Sequence, residues 1–293
     1  MKTKYYLILL AILISISALW TNEVYKFYRA SDGGELKLQD FFKSLLEYDV
    51  IFFGEIHDND LLHQLEIAIL QGMYGHFDKL AISMEMFERD TQNVLNAYLS
   101  GEIMETEFLD KSHPWPNYQT DYHPLVEFAR INGMEILAAN VPRKYAAMVS
   151  REGWSSIEKL PPEERKLMSA DLLILDDEYK QRFYATIQSH PGIKNSSMGS
   201  IKPKALYEAQ CLKDDTMAES ISKFLQGRPE TKLMHINGHF HSDYHLGTVK
   251  KLQLKEPDLK IAVISPVIWD QEDKELEFME SEKEKGDYIL IIR

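Results

Sequence analysis

Residues 50–60 read V-I-F-F-G-E-I-H-D-N-D, and residues 61–74 continue L-L-H-Q-L-E-I-A-I-L-Q-G-M-Y. Four consecutive apolar residues, too few for a helix and stopped by glycine, predict a strand buried on both faces. A polar turn follows, and the apolar spacing from Leu61 to Tyr74 predicts a helix. A buried strand feeding a helix is the unit of a parallel sheet with crossover helices. The unit recurs along the chain. Leu80–Met84 runs into Glu85-Met86-Phe87-Glu88, with Asp90 placed to cap a helix through Leu99. Glu135–Ala139 runs into Asn140-Val141-Pro142-Arg143, Lys232–Ile236 into Asn237-Gly238-His239, and Ile261–Ile264 into Ser265-Pro266. Tyr288–Ile292 is expected as a last, edge strand.

Residues 143–226 break this rhythm. They carry helical patterns over Pro162–His190 and Pro203–Gln226 with no strand between. The expected architecture is therefore α/β: a mostly parallel sheet with flanking helices, and an all-helical insertion at about 143–226 packed over the strand C-terminal ends. Gly192–Pro203 reads as a loop, and Glu272–Lys285 as a solvated hairpin or loop.

The composition bounds the function. Of 293 residues, 44% are hydrophobic and 27% charged, which excludes a disordered tail and a polytopic membrane protein. The net charge of −13 argues against a nucleic-acid binder, which needs a basic face. The single cysteine, Cys211, excludes an intramolecular disulfide and a cysteine-rich metal cluster. Lys2 and Lys4 precede an uncharged run from Tyr5 to Trp20, the layout of a secretory signal or an uncleaved anchor. Residues 1–21 thus predict export to the cell envelope, with membrane contact through this segment and residues 22–293 as the exported body. No cysteine lies near the end of the run, so a lipoprotein is not expected.

In an open parallel sheet, ligands bind outside the carboxyl ends of the strands. Those ends carry Glu55 and His57, Glu85 and Glu88, Asn140 and Arg143, and His239 and His241. Carboxylates, imidazoles and a guanidinium are expected to converge there on one cleft. His239, His241 and His245 form the densest cluster, in N-G-H-F-H-S-D-Y-H-L-G. Imidazoles bind divalent metals or haem iron, and carboxylates complete hard-metal sites. Plainer roles compete: a helix cap for His57 with its Asp58-Asn59-Asp60, tight turns for Gly54 and Gly238, and a packed layer for His235. His63 lies six positions past His57, off the i,i+4 spacing of a helical ligand pair.

At these residues the chain resembles the ChaN-like, iron-regulated haem-binding proteins of the Tiki/TraB/erythromycin-esterase superfamily. The matching stretches are F-F-G-E-I-H-D-N at 52–59, M-E-M-F-E-R-D-T-Q at 84–92 and D-Y-H-P-L-V-E-F-A-R at 121–130. A-A-N-V-P-R at 138–143, E-A-Q-C-L-K-D-D-T-M-A at 208–218 and N-G-H-F-H-S-D-Y at 237–244 complete them. The resemblance implies an α/β core with a helical subdomain, and an exported protein tied to haem or iron uptake. It further implies haem held at a homodimer interface and contact with haem-uptake machinery. Tyr179 or Tyr184 is then expected to ligate the iron, with His239 as partner, and His57, Glu88, Asn140 and Arg143 line the rim. The alternative is a metal-dependent hydrolase, since superfamily relatives use two G-x-x-H motifs and a glutamate. In that case Glu55 or Glu85 activates a water, and His57, His239 and His241 hold a divalent metal. Two departures stand out: Ile236 occupies the second motif's glycine position if His239 is its histidine, and the acylation cysteine of ChaN-like lipoproteins is missing.

Overall fold

The structure is a computed structural model and describes residues 24–189, 202–271 and 274–293. The N-terminal apolar run, nearly all of the 192–203 stretch, and Glu272 with Asp273 lie outside the described residues. Eight strands form one sheet: β1 (Tyr25–Arg29), β2 (Gly34–Leu36), β3 (Val50–Glu55), β4 (Leu80–Glu88), β5 (Ile136–Asn140), β6 (Lys232–Gly238), β7 (Ile261–Ile268) and β8 (Tyr288–Ile292). Their order is β2-β1-β8-β7-β3-β6-β4-β5, and every pairing from β8 to β5 is parallel. Between the strands run α1 (Leu38–Leu45), α2 (Asp60–Tyr74), α3 (Gln92–Leu99), α4 (Glu105–Ser112) and α5 (His123–Asn132). After β5 come α6 (Arg143–Glu152), α7 (Pro162–Arg165), α8 (Glu178–Ser189), α9 (Pro203–Leu225) and, past β6, α10 (Gly247–Lys255).

The opening strand lies at the centre. β3 pairs β7 on one side and β6 on the other, and all six of its residues are buried. Strand alternation sends Ile51 and Phe53 into the core under α1, α2 and α5, and Val50 and Phe52 into the core under α9 and α10. Burial of each such side chain contributes about 1.5–3 kcal/mol, which is why the strand tolerates no polar residue before Gly54. The 23-residue α9 is about 35 Å long at ~1.5 Å per residue. Its C-terminal half packs Ala218 and Ile221 on the sheet. Its N-terminal half carries Tyr207, Ala209, Cys211 and Leu212 into two further clusters formed with α6 and α8. Among the described residues no helix is long and apolar enough to cross a membrane.

Four expectations are corrected. β8 is not an edge strand: β1 pairs it antiparallel, and β2 extends the sheet beyond. β7 does not stop at Ser265. Its pairing with β3 ends at Ile264, and the strand continues past Pro266 against β8, so the missing N–H falls where the β3 ladder has already ended. Asp90 sits inside a 3-10 turn, and Thr91 is the N-cap residue of α3. The Pro162–His190 pattern is helical only in α7 and α8. In the intervening stretch the N–H groups of Ser169, Ala170 and Leu173 donate to Thr216, Glu219 and Asp215 of α9, and these side-chain acceptors replace a helical ladder.

Candidate functional site at the carboxyl ends of the strands

Register explains where the two glutamates go. Glu55 follows Ile51 and Phe53 in alternation and points toward α2, whereas Glu85 follows Ala81 and Ser83 and points toward α9. The carboxylates expected on one rim therefore serve opposite faces of the sheet, each at the centre of its own network.

On the α2 face, Glu55 is fully buried. Its Oε1 accepts from the Tyr122 hydroxyl at 2.8 Å and also bonds His57 Nδ1. His63 Nδ1 lies 3.5 Å from Glu55 Oε2 and 3.2 Å from Glu66 Oε2. Burial, and next the neighbouring Glu55, push the Glu66 carboxyl well above the usual range. On the α9 face, Glu85 Oε2 accepts from the Gly238 N–H at 2.8 Å, and its Oε1 lies 3.3 Å from His241 Nε2. His241 Nδ1 lies 2.6 Å from Asp214 Oδ1, and Asp214 accepts further bonds from Tyr179 and Thr248 at 2.8 and 2.9 Å. Burial alone would lower His241, but the charges of Glu85 and Asp214 outweigh it and push the imidazole up to about 10. Burial likewise raises Glu85, and is overcome first by the His241 charge, so this carboxylate sits far below its usual range. His241 is thus a buried imidazolium held between two carboxylates.

The glycines of the two G-x-x-H stretches have reciprocal reasons. A Cβ on Gly238 would lie 2.7 Å from His57 Nε2, and a Cβ on Gly54 would lie 2.9 Å from His239 Cβ. Each motif's glycine makes room for the other motif's histidine, because β3 and β6 are adjacent with Gly54 opposite Asn237. In the second motif His239 rests on Gly54 and is partly exposed, while His241, which restores the G-x-x-H spacing, is buried.

His57 and His239 end adjacent strands and share a design. Each has Nδ1 tied to a carboxylate, Glu55 for His57 and Asp243 at 2.7 Å for His239, and each side chain is about two-fifths exposed, at 44% and 39%. Asp243 is itself fixed by a 2.6 Å bond from Ser265. A carboxylate on Nδ1 selects the tautomer; it leaves Nε2 of His239 as the free group, whereas Nε2 of His57 lies against Gly238. Burial lowers His57, but its bond to Glu55 and the charge of Glu85 raise it overall.

The expected single cleft is instead divided by α8. One cleft of about 440 Å³ is lined by Glu85, Glu88, Asn140, Arg143, Phe183 and Lys213. Its neighbour, about 310 Å³, is lined by Arg182, His239, Phe240, Tyr244, Leu246 and Lys285. Arg143 pairs with Glu88, and Asn140 donates to the Glu85 carbonyl at 3.0 Å, so both brace β4 and β5. Tyr179 borders the smaller cleft, yet its ring is buried and its hydroxyl donates inward to Asp214. Burial, and next the Asp214 charge, push that phenol well above its usual value, the reverse of what a phenolate ligand needs. Tyr184 packs its ring on Phe183 and Tyr207. His235 is buried against Phe52 and bonded to Ser83 at 2.8 Å, and burial pushes it down to about 3. A further depression, about 600 Å³ beside Arg29 and Tyr48, lies at the amino ends of the strands.

Sequence reasoning gave no role to Asp214, Tyr122, Glu66 and Asp243, and set His63 aside on its spacing from His57. The adjacent Asp214-Asp215 pair in an otherwise packed helix was the available signal, since two consecutive aspartates rarely sit inside a core without partners.

The fold and rim define an α/β protein whose strand ends present carboxylate-backed imidazoles beside two ligand-sized clefts. Residues 41–252 match the family described as haem-binding uptake, Tiki superfamily, ChaN, and the chain belongs to that family. Among solved structures it is similar to ChaN of Campylobacter jejuni, described for its cofacial haem binding, at 18% identity and a TM-score of 0.65. That match covers 93% of this chain and 98% of the other. An erythromycin esterase in its open conformation aligns at 11% identity and a TM-score of 0.48, over 83% of this chain and 77% of its own. Protein RETICULATA-RELATED 5, chloroplastic, of Arabidopsis thaliana is 29% identical over 136 residues, which are 43% of this chain and 18% of that protein. The chain thus spans under a fifth of that relative's length.

Proposed function

We propose that this protein binds haem in the smaller cleft, with His239 as the iron donor, in the service of haem or iron acquisition outside the cytoplasm. The observation that carries this is the His239–Asp243 pair. It offers an outward Nε2 whose tautomer is already set, the arrangement that fixes imidazole ligands to metals. Haem also needs apolar walls, for which Phe240, Leu246 and Ala185 stand in the cleft, and cations for its propionates, for which Arg182 and Lys285 would exchange their present partners Glu178 and Glu282. Iron supplies the redox and ligand chemistry when bound; the protein supplies orientation. The Tyr179 ligand inferred from the family resemblance is set aside here, because freeing its hydroxyl would leave Asp214 short of a bond. Tyr184 is retained as a ring that packs near the cleft.

A cleft of about 310 Å³ sits at the small end of ligand pockets, which run ~300–1,000 Å³. It covers one side of a macrocycle, and a second copy of the chain is the proposed cover for the other, which accords with the cofacial haem binding described for the Campylobacter jejuni protein. Export rests on the Lys-flanked run at 5–20. A second reading, hydrolysis, draws on the Glu55–His57 pair, a buried carboxylate behind a half-exposed imidazole.

Hemin titration of the purified protein, followed in the Soret region, tests the proposal. Saturable binding that is weakened at least tenfold by His239→Ala and unchanged by Tyr179→Phe supports it. Binding unaffected by His239→Ala, or no saturation at all, refutes the ligand assignment.

A further inference from the structure

A second cluster lies under the rim on the α2 face and takes no part in the haem proposal. Glu55, His63 and Glu66 each offer one ligand atom, and these atoms lie within 4.8 Å of one another. All three residues are buried. The networks around them account for every polar atom except two: Glu55 Oε2 and Glu66 Oε1 have no hydrogen-bond partner. A buried carboxylate oxygen without a donor is costly, and Glu55 and Glu66, which lie against each other, need either a shared proton or a cation between them.

The imidazole is oriented for the purpose. His63 Nε2 lies 3.2 Å from the His57 carbonyl oxygen and 3.5 Å from Asp121 Oδ2, both acceptors. A proton on Nε2 serves these acceptors and leaves the Nδ1 lone pair toward Glu55 and Glu66, which is the form the proposed site uses. A metal-bound histidine takes just this form, with its second nitrogen donating to a carbonyl or carboxylate. The spacing agrees. Ligands about 2.0–2.1 Å from a tetrahedral zinc ion stand roughly 3.4 Å apart, and Nδ1 stands 3.5 and 3.2 Å from the two carboxylate oxygens. Tyr122 and His57 hold the other oxygen of Glu55, which aims Oε2 into the cluster. Among the described residues no lysine or arginine forms an ion pair with Glu55 or Glu66; their ion-pair partners are the imidazoles of His57 and His63. A cavity of about 330 Å³ lined by Asp60, His63, Gln64 and Asp121 leads to the ring from solvent, and its two aspartates favour passage of a cation.

We infer that Glu55, His63 and Glu66 bind a divalent transition-metal ion, of the kind that accepts one imidazole and two carboxylates, at a site separate from the haem cleft. Zinc, manganese and ferrous iron accept such mixed nitrogen and oxygen sets. Because Glu55 also holds His57, the ion stiffens the strand end from which the rim histidine projects.

The test uses purified full-length chain stripped with chelator, titrated with Mn²⁺ by electron paramagnetic resonance and then challenged with Zn²⁺. One saturable Mn²⁺ per chain, displaced by Zn²⁺, is expected, with a melting temperature that rises on loading. Glu66→Gln and His63→Asn should each weaken Mn²⁺ binding at least about tenfold, while His239→Ala should leave it unchanged. The two ligand variants are checked for native circular dichroism, so a fold defect in one leaves the other decisive. No saturable uptake by the wild-type chain overturns the inference, and so does uptake lost in His239→Ala but kept in Glu66→Gln. Hemin binding is scored separately and can succeed or fail without affecting this result.

Discussion

Asp214→Asn is the sharpest probe of the buried network on the α9 face. Asp214 is fully buried and accepts from His241, Tyr179 and Thr248. Asparagine keeps the shape, and a tyrosine hydroxyl can accept as well as donate, so the bonds can be redrawn and chiefly the charge is lost. The imidazolium then retains only Glu85, 3.3 Å away. Removing one partner of a buried ionic network costs about 3–5 kcal/mol; with Glu85 still in place the loss should be about 2–4 kcal/mol at pH 7. The pH dependence gives the sign. His241 is raised to about 10 in the folded chain against its ordinary 6.5, so its contribution is complete below pH 6.5. It falls as pH climbs toward 10, by up to about tenfold in the folding constant per unit, and is lost above. Urea unfolding of wild type and variant at pH 6, 8 and 10 should show a gap that is widest at pH 6 and narrowest at pH 10. A gap below ~0.5 kcal/mol at pH 6, or one that does not change with pH, would refute the buried imidazolium.

The reciprocal glycines should differ in kind. Gly54→Ala meets His239 Cβ and Cα at 2.9 and 3.0 Å, so backbone must move and stability should drop by about 1–3 kcal/mol in chemical denaturation. Gly238→Ala meets only the far edge of the His57 ring, which can swing outward. Its stability should change by less than ~1 kcal/mol, while loss of the Glu55 bond lowers the His57 pKa seen by NMR titration; an unchanged His57 titration contradicts the packing. Cys211 is fully buried, and burial pushes its thiol up to about 12. It should resist a thiol reagent at pH 8 until urea unfolds the chain; rapid labelling of folded protein would show that α8 and α9 part readily.

The parallel core was legible because strands such as Val50–Phe53 are buried on both faces and announce themselves as unbroken apolar runs. The β1–β2 hairpin was not, since Tyr25–Arg29 (Y-K-F-Y-R) breaks the apolar–polar alternation at Phe27-Tyr28, and Gly34–Leu36 is three residues long. Its aromatic residues pack because β8, paired from Tyr25 with Ile292 to Arg29 with Tyr288, supplies an edge from the far end of the chain. The strand ends named Glu55, His57, Glu85 and His239 correctly as neighbours in the fold. That Glu55 and Glu85 face opposite ways depends on which strands pair and in what register, and no local pattern encodes that. Asp214, Tyr122 and His63 come from helices whose faces are chosen by tertiary packing. The same holds for the break between α7 and α8, where acceptors from α9 displaced the helix that local spacing favoured.

The antiparallel pairing of β1 with β8 sets how the molecule is held. Tyr25 stands opposite Ile292, and the Arg293 N–H donates to the Val24 carbonyl at 2.9 Å, so residue 24 lies at the carboxyl end of the parallel strands. β1 is three strand positions from β3, or about 14 Å at ~4.8 Å per strand. The described chain therefore begins on the same side that carries His57 and His239, the side from which the anchor proposed for residues 1–23 would hold it. Under the proposed anchoring, the clefts would open toward the tethering surface, and a ligand would arrive sideways through the gap or be passed down from that surface.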